Sequence, residues 1–178
     1  MKEIQIRLSG TGGQGLQLSA KMLAESLIQE GCQIAQSQSY EPTSRGGLSR
    51  ADLVIGDEIP DYPLVTNLSA LLIMDQLAAH ASTDLIQPGG LVITDSKRVE
   101  DPPKGDFNLH ALPLTETALK LGSARVANII ALGAMITLRD ICKPAALESA
   151  VRRNAPRAFL ELNIEALKTG FEMATKLS

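Results

Sequence analysis

Six residues near the amino terminus, Gly10-Thr11-Gly12-Gly13-Gln14-Gly15, constrain this chain more than any other feature. They stand between a short apolar run, Ile4 to Ser9, and a segment with helical spacing, Leu16 to Gln29. On that segment Leu16, Ala20, Leu23, Ala24 and Leu27 share one face. Gly31 follows its last turn, where a glycine commonly ends a helix. Cys32 to Ser37 then reads as a second strand. A strand, glycine turn, helix and strand in this order favour a parallel pair joined by a right-handed crossover. The chain is thereby committed to an α/β sheet rimmed at one end by exposed backbone.

The remaining elements extend that sheet. Leu48 to Ile55 alternates, with Ala51, Leu53 and Ile55 on one face and Arg50 and Asp52 on the other. Such a strand with one wet face suits an antiparallel or edge position. Ala70 to Met74 is a fully apolar strand ended by Asp75, and Leu77 to Leu85 reads as a helix. Gln87-Pro88-Gly89-Gly90 is a turn, Leu91 to Thr94 a buried strand, and Asn108 to Leu112 a last short strand. Between the last two, Ser96 to Asp106 is a polar surface excursion. From Thr115, a candidate cap, the pattern is helical to the end. Arg125 to Arg139 is apolar almost all round, so it is buried or at a subunit interface. Pro144 fits the first turn of a helix to Arg153, and a last helix carries Leu160, Ile164, Leu167, Phe171 and Ala174 on one stripe. The expectation is one domain over residues 1–178, a three-layer α/β/α arrangement with a mixed, mostly parallel sheet and a helical C-terminal third.

Composition narrows the chemistry. The chain has 178 residues, enough for a sizeable core, and a formal net charge of −3 dispersed along it, which disfavours nucleic acid as a partner. No apolar run is long enough to span a bilayer, and the start, Met1-Lys2-Glu3-Ile4, has no signal-peptide core, so cytoplasmic residence is expected. An iron–sulfur cluster generally needs four thiolates, and this chain has two cysteines, Cys32 and Cys142. Its two histidines, His80 and His110, are far apart, so no metal site is expected. No catalytic group is assigned either, for no acid, base and nucleophile cluster together in the sequence.

Two loops and one amide are the candidate binding residues. The glycine turn satisfies G-x-G-x-x-G, and the helix after it favours an anion. A dinucleotide site also needs an acid at the end of the second strand, where Gln36, Ser37, Gln38 and Ser39 stand. A Walker-type loop needs Lys-Ser/Thr after the last glycine, where Leu16-Gln17 stands. Tight packing of helix on sheet and an anion site without a full nucleotide remain as readings of Gly10, Gly12, Gly13, Gln14 and Gly15. The loop Tyr40-Glu41-Pro42-Thr43-Ser44-Arg45-Gly46-Gly47 presents an arginine beside two glycines, able to pair with a phosphate or carboxylate, or merely with a surface acid. Asp75 and Asp95 each end an apolar strand, where a carboxylate either caps the next turn or acts in catalysis. Asn128 is a lone amide in the apolar helix and needs partners, in a neighbouring loop or in another subunit.

These segments, in this order, resemble the gamma subunit or gamma domain of 2-oxoacid:ferredoxin oxidoreductases, the pyruvate, 2-oxoglutarate, 2-oxoisovalerate and indolepyruvate enzymes. The resemblance rests on Gly10 to Gly15, Ser39 to Gly47, Ile73-Met74-Asp75-Gln76, Gln87 to Ile93 and Ala127 to Ala134, and so covers nearly the whole chain. It implies a Rossmann-like fold and a complex that decarboxylates a 2-oxoacid, joins the acyl group to coenzyme A and passes electrons to ferredoxin. It further implies that thiamine diphosphate and iron–sulfur clusters lie in other subunits and that the isolated chain is inactive. A short separate chain looks most like the multi-subunit 2-oxoglutarate type. The family's loop often reads Tyr-Gly-Pro-Glu before a residue and Arg-Gly-Gly. Here Glu41 replaces that glycine and Thr43 that acid, so the acid's ionic role does not carry over. The alternative is a free-standing nucleotide- or anion-binding domain.

Overall fold

A computed structural model describes residues 3–41 and 46–177. Six strands form one sheet: β1 (Ile4–Thr11), β2 (Gln33–Tyr40), β3 (Leu48–Gly56), β4 (Leu68–Ile73), β5 (Ile86–Asp95) and β6 (Phe107–Leu112). Five α-helices follow the strands named: α1 (Leu16–Gln29) after β1, then α2 (Leu114–Leu121), α3 (Ala127–Arg139), α4 (Pro144–Asn154) and α5 (Leu160–Thr175) after β6. The helical C-terminal third is as the sequence reads.

The strand order is β2-β3-β1-β4-β5-β6. β1, β4, β5 and β6 pair in parallel, whereas β3 pairs antiparallel with both β1 and β2. The sheet is thus mixed and mostly parallel. The direct parallel pairing of the first two strands does not form, because β3 inserts between them. The short connection between β2 and β3 allows an antiparallel hairpin, and that hairpin docks onto β1 through its second strand. β3 is therefore an interior strand, not an edge.

The alternation suggests a partly wet polar face; Arg50 there is half-buried, while Asp52 at its centre is buried. Arg7 on β1 lies opposite Asp52 on β3. Its Nε donates to Asp52 Oδ1 and its Nη2 to Oδ2, each at 2.8 Å, while Nη1 donates to Ser82 Oγ at 2.8 Å. The two side chains are each 9% exposed. A second arginine, Arg50, lies two residues along β3; burial, then the charge of Arg7, push its pKa below the ordinary value.

All five α-helices pack over one face of the sheet. There Ile6, Leu8, Ala51, Leu53, Ile55, Ala70, Leu72, Leu91 and Ile93 join the buried faces of the helices in one core. The third layer is thin: a smaller cluster of Val54, Leu71, Ile73 and Val92 is covered by Ala78, Ala79 and Val99 from turns and loops. The helix expected over Leu77 to Leu85 is two single 3₁₀ turns, Gln76–Ala78 and Thr83–Leu85. Of that segment's apolar side chains only Ala78 and Ala79 are buried in the small core, with Leu85 packed at its margin and Leu77 exposed, so the segment has no continuous apolar stripe to bury. The Gln87 to Gly90 turn lies inside β5, where the register with β4 shifts between Leu68 and Ala70. A Cβ on Gly90 would stand 2.9 Å from the carbonyl of Gln87, which keeps that bulge glycine.

α3 owes its burial to α5. A Cβ on Gly133 would stand 2.5 Å from the carbonyl of Leu167, and one on Gly170 would strike the carbonyl of Ile130, so the two helices cross backbone to backbone.

Because the Arg7–Asp52 pair is buried and bidentate, removing one partner strands a charge. Asp52→Ala should cost about 3–5 kcal/mol in urea unfolding of the full chain. The paired change Arg7→Met with Asp52→Leu should recover most of that loss; a double variant no better than the single one would show that the pair does not act as a unit.

Candidate functional site

The site lies at the carboxyl ends of β1 and β4, where chain topology opens a crevice. The glycine turn begins with a fixed Gln14. Its Nε2 donates to the carbonyl of Met74 at 3.0 Å, and its Oε1 accepts from the backbone N–H of Thr11 at 2.8 Å. A Cβ on Gly10 would collide with this amide, so Gly10 is a packing requirement. Gly13 (φ 91°) and Gly15 (φ 73°) are left-handed, a conformation open to glycine at low cost. Gly12 and Gly13 are exposed, with open space beside their Cα atoms.

α1 starts directly from this turn with no side-chain cap and no acid in its first turn. Its first N–H groups consequently face outward with the positive end of the helix dipole. The inserted β3 closes the other side. Thr11 pairs with Leu48, and the N–H of Gly12 donates to the carbonyl of Gly47 at 3.2 Å. Gly46 and Gly47 are therefore brought to the glycine turn by β3, not by a parallel β2. Tyr40, Ser49 and Gly10 form one row across three strands, which places the Tyr40 backbone about 10 Å from Gly10. Arg45 lies outside the described residues.

Asn128 reaches the turn from α3. Its Nδ2 donates to Ser19 Oγ at 2.9 Å and to the Gly15 carbonyl at 3.3 Å, and its Oδ1 accepts from the N–H of Ile129 at 3.0 Å. This amide bonds to the neighbouring loop and helix of its own chain. A Cβ on Gly15 would stand 2.5 Å from Asn128 Nδ2, so these two residues fit only as a pair.

Two arginines complete the corner. A cleft of about 150 Å³ is lined by Gly13, Gln14, Thr115, Asn128, Arg98 and Arg125, among others. Arg98 comes from the polar loop after β5; its Nε donates to Thr115 Oγ1 at 3.3 Å, and its Nη1 stands 3.7 Å from Asp75 Oδ2. Arg125 comes from the 3₁₀ turn Ala124–Val126 that leads into α3. A second groove of about 330 Å³ shares Gly13, Arg125 and Asn128 with the cleft and continues past Leu18, Ile129 and Phe159. The corner can thus hold an anion through two guanidinium groups and backbone N–H donors, with an apolar trough beside it.

Asp75 and Asp95 are structural. Asp75 accepts from the N–H of Leu77 at 3.1 Å and caps a 3₁₀ turn. Asp95 is wholly buried; it accepts the N–H groups of Lys97 (3.1 Å) and Thr115 (3.0 Å) and the Thr115 hydroxyl. Thr115 is therefore not the cap of α2, which starts after Pro113; its hydroxyl ties that helix to the end of β5. Arg98 and Arg125 escape the sequence reading, and Thr115 enters it only as a helix cap. The one signal for them is position: Arg98 follows Asp95 by three residues, and Arg125 precedes Asn128 by three.

Cys142 is buried, takes a hydrogen bond from Ser26, and is pushed up to about 11 by desolvation. Among the described residues no three His, Cys, Asp or Glu side chains converge to hold a metal ion, and no helix is long and apolar enough to cross a membrane.

The family model for pyruvate ferredoxin/flavodoxin oxidoreductase matches residues 5–173. The chain is 34% identical over 177 residues to the 2-oxoglutarate synthase subunit KorC of Methanocaldococcus jannaschii, covering 97% of this chain and 95% of that one. Among solved structures, the keto/oxoacid ferredoxin oxidoreductase gamma subunit from Geobacter sulfurreducens superposes with a TM-score of 0.90 at 39% identity, covering 99% of this chain and 98% of that one. A 2-oxoglutarate:ferredoxin oxidoreductase from Magnetococcus marinus, solved with 2-oxoglutarate, coenzyme A and succinyl-CoA, shares the fold. Its TM-score is 0.88 at 22% identity, and this chain covers 32% of that chain.

The fit of Gly15 to Asn128 is directly testable. Gly15→Ala adds left-handed strain, about 1–2 kcal/mol, to a clash with the amide. Thermal unfolding should show a loss larger than that strain alone, and adding Asn128→Ala should relieve the clash component. If Gly15→Ala is as stable as wild type, the turn does not have this geometry.

Proposed function

The chain belongs to the pyruvate ferredoxin/flavodoxin oxidoreductase family, as a gamma subunit of a 2-oxoacid:ferredoxin oxidoreductase, and from that premise we propose that its glycine corner holds the phosphates of coenzyme A in the assembled complex. One observation carries the reading: Arg98, Arg125 and the glycine turn at Gly13-Gln14, which leads into the uncapped α1, line a single cleft. Phosphate oxygens match that combination of guanidinium groups and backbone donors. The exposed Gly12 and Gly13 allow close approach of a bulky anion, and the adjoining groove past Leu18 and Phe159 offers an apolar wall for the rest of the carrier.

In this reading the subunit binds and positions; it moves no proton and makes no covalent bond to substrate. The complex carries out oxidative decarboxylation of a 2-oxoacid to the acyl-CoA, with electrons passed to ferredoxin, in the cytoplasm. Thiamine diphosphate and the iron–sulfur clusters belong to other subunits; a cluster generally needs four thiolates and this chain has two cysteines. The 2-oxoacid is 2-oxoglutarate, a choice supported by near full-length similarity to a 2-oxoglutarate synthase subunit.

A free-standing dinucleotide domain is the competing reading. The strands beside the glycine turn speak against it: on one side β3 runs the opposite way, and on the other the parallel β4 leads to Asp75, whose carboxylate is engaged with the Leu77 N–H and stands beside Arg98.

In the reconstituted complex, Arg98→Ala and Arg125→Ala should each raise KM for coenzyme A about tenfold, near 1.4 kcal/mol, with assembly and turnover at saturation retained. Unchanged KM with weakened assembly would make the rim a subunit interface instead.

The isolated chain should neither reduce ferredoxin nor bind NAD at micromolar concentrations in calorimetric titration. Micromolar NAD binding would favour the free-standing domain.

A further inference from the structure

β2 is the outer strand of the sheet, and it is an unusually open edge. It runs for eight residues, Gln33 to Tyr40, in unbroken register with β3 from Gln33 opposite Gly56 to Tyr40 opposite Ser49. Sheet edges are ordinarily protected by charge, proline, a bulge or a covering element, because their free N–H and C=O groups template further pairing. β2 has no charged residue and no proline, in a chain where 21% of residues are charged. Gln36, Gln38 and Ser39 are exposed. No bulge interrupts the strand, so its outer row of backbone groups is regular.

The sides of the strand differ in a way that fits one occupant. Gln36 and Gln38 lie opposite Leu53 and Ala51 and so share the helix-covered face. Ala35, Ser37 and Ser39 lie opposite Val54, Asp52 and Arg50 on the thinly covered face. A two-fold axis perpendicular to the sheet at Ser37 keeps each residue on its own face. It sets Gln36 of one strand against Gln38 of the other, Ser37 against itself, and Ala35 against Ser39. Amides then meet amides and small residues meet small residues, with no like charges opposed. Such a contact is isologous and closes after two copies, whereas a partner chosen by charge would find none here to read.

We propose that two copies of this chain join edge to edge through antiparallel β2 strands, forming one continuous twelve-stranded sheet, twice the six strands of a single copy. Because the two strands run oppositely, the glycine corners lie at opposite ends of the joint sheet, and both stay open. The second edge, β6, is six residues long and pairs in parallel with β5.

The test uses the full chain in sedimentation equilibrium over a wide concentration range. Wild type should show a concentration-dependent dimer. Gln36→Lys with Gln38→Lys, and separately Gln36→Glu with Gln38→Glu, should each weaken association at least about tenfold, since like charges then stand directly opposite. Both positions are exposed, so circular dichroism and Tm should remain those of wild type. An equal mixture of the lysine and glutamate variants should restore the dimer, seen as a heterodimer by native mass spectrometry. A wild type that stays monomeric throughout, or a lysine variant that associates as wild type does, overturns the proposal. Loss of the dimer in Leu109→Lys but not in the β2 variants would assign it to β6 and equally overturn it. If the β2 variants leave self-association untouched but break assembly with the larger subunits, the edge belongs to a different chain and the proposal fails, while the anion reading of the glycine corner stands.

Discussion

β3 runs antiparallel between β1 and β2, and the buried pair of Arg7 with Asp52 fixes it there. A bidentate pair between neighbouring strands sets register, because a slip of one residue would put Asp52 on the opposite face and leave Arg7 buried alone. The register in turn decides where β3 begins. With Arg7 opposite Asp52, Leu48 must lie opposite Thr11, and the N–H of Gly12 meets the carbonyl of Gly47. A charge pair in the middle of the sheet thus places the two glycine-rich loops side by side at its rim.

The helical layer supplies the other half of the corner. α3 is buried almost all round because α5 crosses it at Gly133 and Gly170, where neither helix has room for a side chain. That close crossing fixes the start of α3 over α1. Asn128 then bonds to Ser19 and to the Gly15 carbonyl, so the amide that the apolar helix could not satisfy itself is satisfied by the turn it positions. Arg125 follows because it is one turn upstream of Asn128, and Arg98 because Thr115 and Asp75 hold it across the cleft.

This division of labour accounts for a site that has charge but no acid–base machinery. Its carboxylates are engaged in structure: Asp95 is wholly buried and accepts from the Lys97 N–H, the Thr115 N–H and the Thr115 hydroxyl, and Asp75 caps a 3₁₀ turn beside Arg98. The charged groups that line the cleft are the guanidinium groups of Arg98 and Arg125, suited to pairing with an anion.

Local pattern was enough for much of this. The glycine turn between strand and helix, the apolar strands, the four C-terminal helices and the candidacy of Gly10 to Gly15 and Asn128 follow from residue type and spacing, which act over a few residues. The order of strands does not. Whether β2 or β3 neighbours β1 depends on a pairing between residues 45 positions apart, Arg7 and Asp52, and nothing in the alternation of β3 distinguishes a buried polar face from a wet one. The same limit hid Arg98 and Arg125, ordinary residues until the sheet and the α3–α5 crossing gather them at one cleft. It also misread Leu77 to Leu85, whose spacing fits a helix while the chain forms two short turns there. Sequence by itself determined the elements and the chemistry of the glycine turn, because those are set by local sterics and periodicity; tertiary structure alone decided which charges meet that turn, because burial and long-range pairing are properties of the assembled sheet.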